Sequence, residues 1–228
     1  MDQTEIWRYF QNDAEIGNTA FNARPRYEFI ARRIAPGLHV LNIGVGRGGL
    51  EAILAKKGVV VNALDPDAQA INRIAQEYGL KDRAKVGFSQ AIPFADGQFD
   101  VVTMLEVLEH LTDEVLNATL GEVKRVLKAG GCFIGTTPAD ENLMANRVVC
   151  PHCGQLFHRW GHLQSFSDER LGTLLSEHFE LGEVSRHFFA EVRTLNWKGR
   201  VSWGIKKTLV GLGVKGDGES FFFLARKR

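Results

Sequence analysis

A short apolar run that ends in a cluster of glycines constrains the fold of this chain more than any other feature. The run Leu38–Ile43 leads into Gly44–Gly49, where four of the six residues are glycine, and residues 50–57 continue at helical spacing. Glycine tolerates the positive φ of a tight turn and leaves room for a ligand against the backbone. A buried strand that passes through such a turn into a helix can cradle an adenosine-type cofactor. Because tight turns also use glycine for purely steric reasons, the pattern needs support from the rest of the chain.

Apolar runs and helical segments alternate beyond this turn. Strands are predicted at 38–43, 59–64, 84–88, 101–105 and 132–137. Helices are predicted between them, at 50–57, 68–78 and 113–127, and the last of these is predicted to end in a turn at 128–131. Alternation with right-handed crossovers predicts an α/β fold whose doubly wound sheet is mostly parallel.

The chain divides into four predicted regions around this sheet. Residues 1–37 are predicted to form an N-terminal helical lid, and residues 38–138 the cofactor-binding core. The alternation breaks over residues 139–166, which we interpret as a small insertion after the fifth strand. Residues 167–228 are predicted to supply the end of the sheet and a basic loop.

Composition narrows the classes to which the protein can belong. With 28 basic and 27 acidic residues the formal charge is +1, which argues against a general attraction to nucleic acid. The first residues do not resemble a signal peptide, and no apolar run is long enough to span a membrane. Three cysteines are too few for a disulfide scaffold, so we expect a reducing, cytoplasmic location. The basic segment Arg193–Lys215 is interpreted as solvated or membrane-peripheral, and the glycine-rich stretch Trp197–Gly218 as a loop or short helix.

An acidic residue ends the second predicted strand. Asp65 lies about twenty residues after the glycines, where a carboxylate can accept both ribose hydroxyls of an adenosine cofactor. The competing role for an acid at this place is a helix N-cap, and Asp67 fits that role better.

Four motifs together resemble those of class I S-adenosylmethionine-dependent methyltransferases, including ubiquinone-type and other small-molecule enzymes. They are Leu41–Gly48, Ala63–Asp65, Ile92–Asp100 and Val126–Gly131. The resemblance implies a seven-stranded Rossmann-like sheet and S-adenosylmethionine as cofactor, with Asp65 at its ribose. The other positions that the resemblance assigns to the cofactor are Arg26 (at the methionine carboxylate), Asn42, Gly44, Gly46, Gly48, Pro66, Ser89, Gln90 and Leu105.

The segment Glu106–His110 directly follows the fourth predicted strand. Open α/β sheets bind their ligands beyond the carboxyl ends of the strands, so His110 is a candidate general base and Glu106 a second candidate catalytic residue. The alternative is a histidine that only orders the turn. The E-x-x-E-H pattern also resembles a metal site of ubiquinone-pathway and RNA 2′-O-methyltransferases. That resemblance implies Mg²⁺ or Mn²⁺ held by Glu106, Glu109, His110 and His162.

The predicted insertion contains a cysteine and histidine cluster. Cys150 and Cys153 have the spacing of a zinc knuckle, in which backbone amides point at the sulfurs. His158 and His162 follow four residues apart, so the four residues are a candidate Cys₂His₂ site for Zn²⁺. A reduced pair without metal, a disulfide, and histidines that line an acceptor pocket are the alternatives. His162 belongs to both metal hypotheses, so at most one of the two sites is complete.

The expected activity is methyl transfer from S-adenosylmethionine to an oxygen, or a nitrogen, of a small-molecule or glycan-linked acceptor. The near-neutral charge favours this over a metal-dependent RNA 2′-O-methyltransferase, the first alternative. The second alternative is a non-catalytic S-adenosylmethionine-binding partner protein. The sequence carries no signal for an oligomeric state.

Overall fold

A seven-stranded sheet is the centre of the computed structural model, which describes residues 4–13, 23–189, 191, 196–211, 216 and 218–228. The strands are β1 (His39–Ile43), β2 (Val60–Asp65), β3 (Ala84–Val86), β4 (Phe99–Leu105), β5 (Leu127–Pro138), β6 (Arg147–Val149), β7 (Leu156–His158), β8 (Glu180–His187) and β9 (Ser220–Arg226). The helices are α1 (Thr4–Asn12), α2 (Arg24–Ala31), α3 (Gly49–Lys56), α4 (Ala68–Glu77), α5 (Asp113–Val126), α6 (Asp168–His178) and α7 (Trp197–Gly211). Short 3₁₀ turns occupy Lys81–Arg83 and Leu108–His110.

The strand order of the central sheet is β3-β2-β1-β4-β5-β9-β8. Strands β1 to β5 are parallel, whereas β9 runs antiparallel to both of its neighbours, β5 and β8. The predicted fold class, a doubly wound and mostly parallel seven-stranded sheet, is therefore confirmed.

Side chains of the central strands alternate between two apolar cores, one on each face. Val40 packs with the core that α2, α3 and α4 cover, and its neighbour Leu41 packs with the core under α5 and α6. Phe222 and Phe223 of β9 divide between the two cores in the same way. Each such buried side chain stabilises the fold by about 1.5–3 kcal/mol. Both faces are buried, which explains why the strands appear in the sequence as continuous apolar runs.

Two predicted segments differ from the structure. The segment predicted as a loop or short helix between Trp197 and Gly218 contains the fifteen-residue helix α7. Gly199 and Gly204 made the sequence resemble a loop, although glycine costs an interior helical position only about 1 kcal/mol. The turn predicted at 128–131 lies within β5 instead, where Gly130 has a φ of +73°.

The predicted insertion begins beyond β5 and contains the antiparallel pair β6–β7. Its end is fixed to the loop that follows β4, because the N–H groups of Leu163 and Gln164 donate to the carbonyl oxygen of Glu109, at 2.8 and 3.3 Å. The insertion therefore lies beside the carboxyl ends of the parallel strands. Of the helices described above, none has both the length and the apolar character needed to cross a membrane.

Candidate functional site

A cavity of about 1370 Å³ opens at the carboxyl ends of β1, β2 and β4. The turn after β1 and Asp65 at the end of β2 line one part of it, and residues 105–110 after β4 line another. Helix α1 and residues of the insertion complete its wall. The chain leaves β1 toward β2 on one side and returns to β4 on the other, so the cavity lies where the strand order reverses. Open α/β sheets bind ligands at this point.

The glycines of the first turn have different roles. Gly44 has a φ of +82°, and a Cβ atom there would lie 2.6 Å from Cγ2 of Val107, so only glycine fits. Gly48, with a φ of +80°, precedes α3, and a Cβ atom there would lie 2.9 Å from Ile74. Gly44 and Gly46 line the cavity, whereas Gly48 allows α3 to pack closely against α4.

Asp65 holds the glycine turn in place. Its carboxylate is 1% exposed and accepts from the backbone N–H of Val45 (3.0 Å) and of Asp67 (2.9 Å). Gln11 of α1 donates to the same carboxylate at 3.4 Å. Burial raises the pKa of Asp65. A carboxylate offers about four lone-pair sites, so it can still accept from ribose hydroxyls. Asp67 caps α4 by accepting from the N–H of Ala70 at 2.7 Å.

Asn42 lines the cavity, but its side chain is bonded to the interior of the protein. Its amide donates to Glu51 Oε1 at 2.7 Å, and its Oδ1 accepts from the hydroxyl of Thr103 at 2.8 Å. Glu51 is completely buried in α3, and this burial raises its pKa to about 7. Asn42 therefore supports the turn from below and joins it to β4.

Arg26 and Glu106 form an ion pair at the edge of the cavity. Nη2 of Arg26 lies 3.1 Å from Glu106 Oε2 and donates to the hydroxyl of Ser220 at 3.2 Å. Within the described ranges, Nε of Arg26 and Oε1 of Glu106 are buried without a hydrogen-bond partner. Glu106 has a φ of +55°, which is strained for a residue with a side chain. The structure thus places Glu106 opposite Arg26 and not among the predicted metal ligands.

Glu109 and His110 form the floor of the cavity beyond β4. Glu109 is 1% exposed and accepts from the hydroxyl of Thr137 at 2.8 Å. Nδ1 of His110 lies 3.1 Å from the carbonyl oxygen of Gly161, which can only accept, so Nδ1 carries the proton. Nε2 of His110 is then an acceptor; it lies 3.8 Å from Oε1 of Glu109. Both atoms are buried, and no described residue donates a hydrogen bond to either.

Burial changes the proton affinities of this pair in the directions that keep both groups neutral. It raises the pKa of Glu109, and the negative charge of Glu106 adds to the effect. It lowers the pKa of His110 to about 3, with a further contribution from His162.

A series of hydrogen bonds through His158 and Glu141 determines which nitrogen of His162 is protonated. Nδ1 of His158 accepts from the backbone N–H of Trp160 (3.3 Å) and of His162 (3.1 Å), so its proton is on Nε2. That Nε2 lies 3.4 Å from Oε1 of Glu141, whose Oε2 contacts Nδ1 of His162. Although burial raises the pKa of Glu141, the hydrogen bond from His162 brings it below its usual range. Ionised Glu141 therefore accepts from Nδ1 of His162, which leaves Nε2 as an acceptor.

Two groups of side chains have the composition of a metal site. Glu109, His110 and His162 form one, and Glu141, His158 and His162 form the other, with ligand atoms within 4.8 Å of one another in each. In the first group, a carboxyl group and two imidazoles face one another, and Glu109 would have to release its proton for all three to act as ligands. Two histidines and one carboxylate are a common donor set for a divalent metal with open positions. The four-ligand set expected from E-x-x-E-H is thus corrected to three, because Glu106 pairs with Arg26.

The predicted Cys₂His₂ set requires a larger correction. Cys150 and Cys153 lie in the turn between β6 and β7, where the backbone N–H groups of Cys153 and His152 lower the pKa of Cys150. His158 lies at the opposite end of β7, paired with Arg147. In the part of the chain that the structure describes, neither cysteine joins the histidines in a metal-compatible group. The two-residue spacing produced the knuckle-like turn, but the hairpin separates it from the histidines.

Helix α1 covers the cavity with aromatic side chains. The ring of Trp7 packs edge-on against His110, with centroids 4.2 Å apart, and Phe10 lies 5.5 Å from Trp160. Arg47 of the glycine turn donates to the carbonyl oxygen of Asp13 at 3.0 Å, which fixes the end of α1. These contacts join α1 to both the glycine turn and the residues around His110.

Most of the predicted site residues line the cavity. Those that line it are Arg26, Asn42, Gly44, Gly46, Asp65, Pro66, Leu105, Glu106, Glu109, His110 and His162. Ser89 and Gln90 are not among its described lining residues: Ser89 hydrogen-bonds Thr119 at 2.8 Å and Gln90 is exposed. Lining residues that sequence analysis did not assign to the site include Trp7, Phe10, Glu141 and Trp160. Glu141 did carry a signal, since it follows β5 much as Glu106 follows β4.

Comparison with known proteins agrees with this geometry. Residues 40–131 match the sequence model of a family described as "Methyltransferase domain". The chain is 34% identical over 138 residues to 2-methyl-6-phytyl-1,4-hydroquinone methyltransferase of Synechocystis, covering 57% of this chain and 42% of that protein. It is 32% identical over 124 residues to ubiquinone biosynthesis O-methyltransferase of Xanthomonas campestris, covering 50% and 51%. The chain thus spans about half the length of the curated relatives it matches.

A solved structure extends the likeness over nearly the whole chain. The 1,6-didemethyltoxoflavin-N1-methyltransferase of Burkholderia thailandensis, solved with its substrate and S-adenosylhomocysteine, superposes with a TM-score of 0.66. The alignment covers 99% of this chain and 86% of that one at 18% identity, which establishes a common fold.

Proposed function

We propose that this chain, whose residues 40–131 match a methyltransferase domain, is a class I enzyme that transfers the methyl group of S-adenosylmethionine to an oxygen, or a nitrogen, of a small-molecule acceptor. One observation carries the proposal: a single cavity joins the glycine turn and Asp65 to Nε2 of His110, which has no hydrogen-bond partner among the described residues. The sulfonium of S-adenosylmethionine supplies an already activated methyl group. The protein has only to align the acceptor, remove its proton and exclude water.

The residues of the first part of the cavity fit the cofactor. Asp65 retains lone pairs for the ribose hydroxyls, and Gly44 and Gly46 leave the backbone of the turn open to a ligand. Arg26 is the cation for the methionine carboxylate, and its buried Nε has no partner among the described residues. Glu106 balances the charge of Arg26 before the cofactor binds.

The residues of the second part fit a hydroxyl-bearing acceptor. Nε2 of His110 is the proposed acceptor of the substrate's proton, and the bond from Nδ1 to Gly161 fixes the orientation of the ring. Because burial lowers the pKa of His110 to about 3, this role requires an ionised Glu109, whose Oε1 lies 3.8 Å from Nε2, to stabilise the imidazolium. Trp7 packs on His110 and excludes water from one side. Together with Phe10 and Trp160 it offers flat apolar surfaces suited to an aromatic ring. The hydroquinone and ubiquinone-pathway names of the relatives support an acceptor of this kind.

A metal-assisted version is the second candidate, favoured by the three potential ligand atoms that lie within 4.8 Å of one another. Glu109, His110 and His162 would hold a divalent cation such as Mg²⁺ or Mn²⁺, which would lower the pKa of the acceptor's hydroxyl. Glu141 would then orient His162 from behind, as second-layer carboxylates do in metal sites.

The test measures methyl transfer from radiolabelled S-adenosylmethionine to a panel of catechols, hydroquinones and amines, with and without EDTA. Turnover that survives EDTA but is lost in His110→Ala supports His110 as the base. Turnover that EDTA abolishes and Mn²⁺ or Mg²⁺ restores supports the metal-assisted version. Full turnover in His110→Ala would reject both. Cofactor binding without transfer to any member of the panel would favour a non-catalytic binding protein.

A further inference from the structure

Helix α7 presents an exposed apolar stripe. Trp197, Val201, Ile205 and Leu209 follow one another at intervals of four residues and are 71%, 55%, 57% and 41% exposed. Residues four apart lie on one side of a helix. A large aromatic and three branched aliphatic side chains on a single face are more than the isolated apolar residues of an ordinary protein surface.

The charged residues of the segment that contains α7 are all basic. From Arg193 to Lys215 the sequence has six basic residues and no acidic one, so the remaining 22 basic and 27 acidic residues leave the rest of the chain at −5. Lys198, Arg200 and Lys206 of α7 are exposed. A protein with a net charge of +1 thus concentrates its positive charge on the helix that carries the apolar stripe.

The helix is attached to the edge of the domain. It contacts β8, which is the last strand of the central sheet. Trp203 is half-buried, and Nζ of Lys206 lies 5.1 Å from the ring of Phe188. One side of α7 therefore faces the protein, and the stripe faces away from it.

We propose that α7 binds the surface of an anionic lipid bilayer, with its apolar stripe at the boundary of the acyl chains and its basic residues among the headgroups. Basic helices with a tryptophan and aliphatic residues on one face bind membrane interfaces in this way. A helix of fifteen residues, about 22 Å long, lies along the surface and does not cross it.

The charges and the apolar side chains of α7 together favour a bilayer over a second copy of the chain or a nucleic acid. Two copies of the chain that met through α7 would bring two wholly basic helices together, which repel each other. A nucleic acid would neutralise the basic residues but would leave Val201, Ile205 and Leu209 without an apolar partner. An anionic bilayer satisfies both the charges and the apolar side chains.

The test is sedimentation of the purified chain with lipid vesicles. We expect binding to vesicles of 70% phosphatidylcholine and 30% phosphatidylglycerol, little binding to phosphatidylcholine alone, and weaker binding as salt increases. Binding that is equal for the two lipid compositions, or absent from both, would overturn the proposal.

Two sets of variants test the apolar stripe and the basic residues of α7 separately. Val201→Asp with Ile205→Asp should abolish vesicle binding. The matched control, Asn72→Asp with Gln76→Asp, adds the same two charges at the same spacing on exposed positions of α4 and should bind like the wild type. Lys198→Gln with Lys206→Gln should weaken binding by about 25-fold, since each cation near an anionic surface contributes about fivefold. If the control loses binding equally, the proposal fails.

Two further outcomes would reassign the surface. If the Val201 and Ile205 variant turned a dimer into a monomer in sedimentation velocity and still bound vesicles, α7 would be an interface between copies. If α7 bound single-stranded RNA more tightly than anionic vesicles, and the aspartate variant abolished only the RNA binding, the partner would be nucleic acid. Neither test depends on methyl transfer, so the proposal stands or fails apart from the proposed function.

Discussion

The two parts of the cavity are built in different ways. The part proposed to bind the cofactor (the cofactor part, around the glycine turn and Asp65) is formed at the ends of adjacent parallel strands, as in the bond from Val45 after β1 to Asp65 at the end of β2. The part proposed to bind the acceptor (the acceptor part, around His110 and His162) depends on a contact between His110 after β4 and Gly161 of the predicted insertion. The first part therefore follows from the fold alone, whereas the second requires the insertion to be in place.

The largest expected effect concerns the acceptor part. His110→Ala should lower kcat on the order of 10³-fold, because it removes the acceptor atom Nε2 that faces the cavity in both versions of the mechanism. Cofactor affinity, measured by calorimetry, should change by less than about threefold if the two parts are independent. His39→Ala, which changes an exposed histidine at the start of β1, is the control and should keep full activity. A large loss of cofactor affinity in His110→Ala would show that the two parts are coupled.

The next effect concerns the cofactor part. Asp65→Ala should weaken the binding of S-adenosylmethionine by about 100-fold, since it removes two charge-assisted bonds that hold the turn and the proposed acceptor of the ribose hydroxyls. Asp67→Ala, the control, removes the cap of α4 and a 3.3 Å hydrogen bond from Asn12, and it should lower the free energy of unfolding by about 1 kcal/mol with little change in affinity. Unchanged affinity in Asp65→Ala would refute the ribose assignment.

The cofactor part could be proposed from the sequence because its motifs lie at the ends of strands that the alternation already predicts. The positive φ of Gly44 and the position of Asp65 at the end of β2 depend on backbone geometry that the motifs themselves specify. Ser89 and Gln90 were assigned by resemblance alone, and in the structure they do not line the cavity within the described residues.

The acceptor part was found only partly, because spacing along the chain does not reveal where side chains point. His162 was identified, but the two cysteines were grouped with the histidines although the β6–β7 hairpin holds them at opposite ends. Glu141 was missed because its role depends on a contact with His162, 21 residues away. Similarly, no local pattern indicated that Trp7 of α1 would pack on His110.

A buried acid beneath the glycine turn gives a pH-dependent prediction for stability. Burial raises the pKa of Glu51 from 4.5 to about 7 in the folded protein, so the folded protein holds this proton more tightly than the unfolded chain. The stability that this difference contributes is fully present below pH 4.5 and is lost as the pH rises through 7. Glu51→Gln keeps an acceptor for Asn42 and should therefore stabilise the protein at pH 8, by about 2–3 kcal/mol. At pH 5 the variant and the wild type should unfold alike.

Thermal unfolding at the two pH values measures this effect. Glu114→Gln makes the same chemical change at an exposed position of α5 and should leave the pH dependence of stability unaltered. A variant of Glu51 that is less stable than the wild type at pH 8 would mean that the buried carboxylate has a partner which the hydrogen-bond pattern does not include.

The smallest effect distinguishes orientation from direct participation in the acceptor part. Glu141 does not face the reacting atoms in the proposed mechanism, but its carboxylate keeps the proton of His162 on Nδ1. Glu141→Gln can donate to Nδ1 through its amide, which would place the imidazole proton on Nε2 and remove an acceptor from the group of Glu109, His110 and His162. We expect kcat to fall by about tenfold with KM for the cofactor unchanged.

Glu141→Asp should restore part of the activity, because it keeps the charge that selects the tautomer. If both variants lose activity equally, with lower unfolding temperatures, Glu141 stabilises the insertion and does not orient His162. In that case the acceptor part would owe its geometry to the backbone bonds of Leu163 and Gly161 alone.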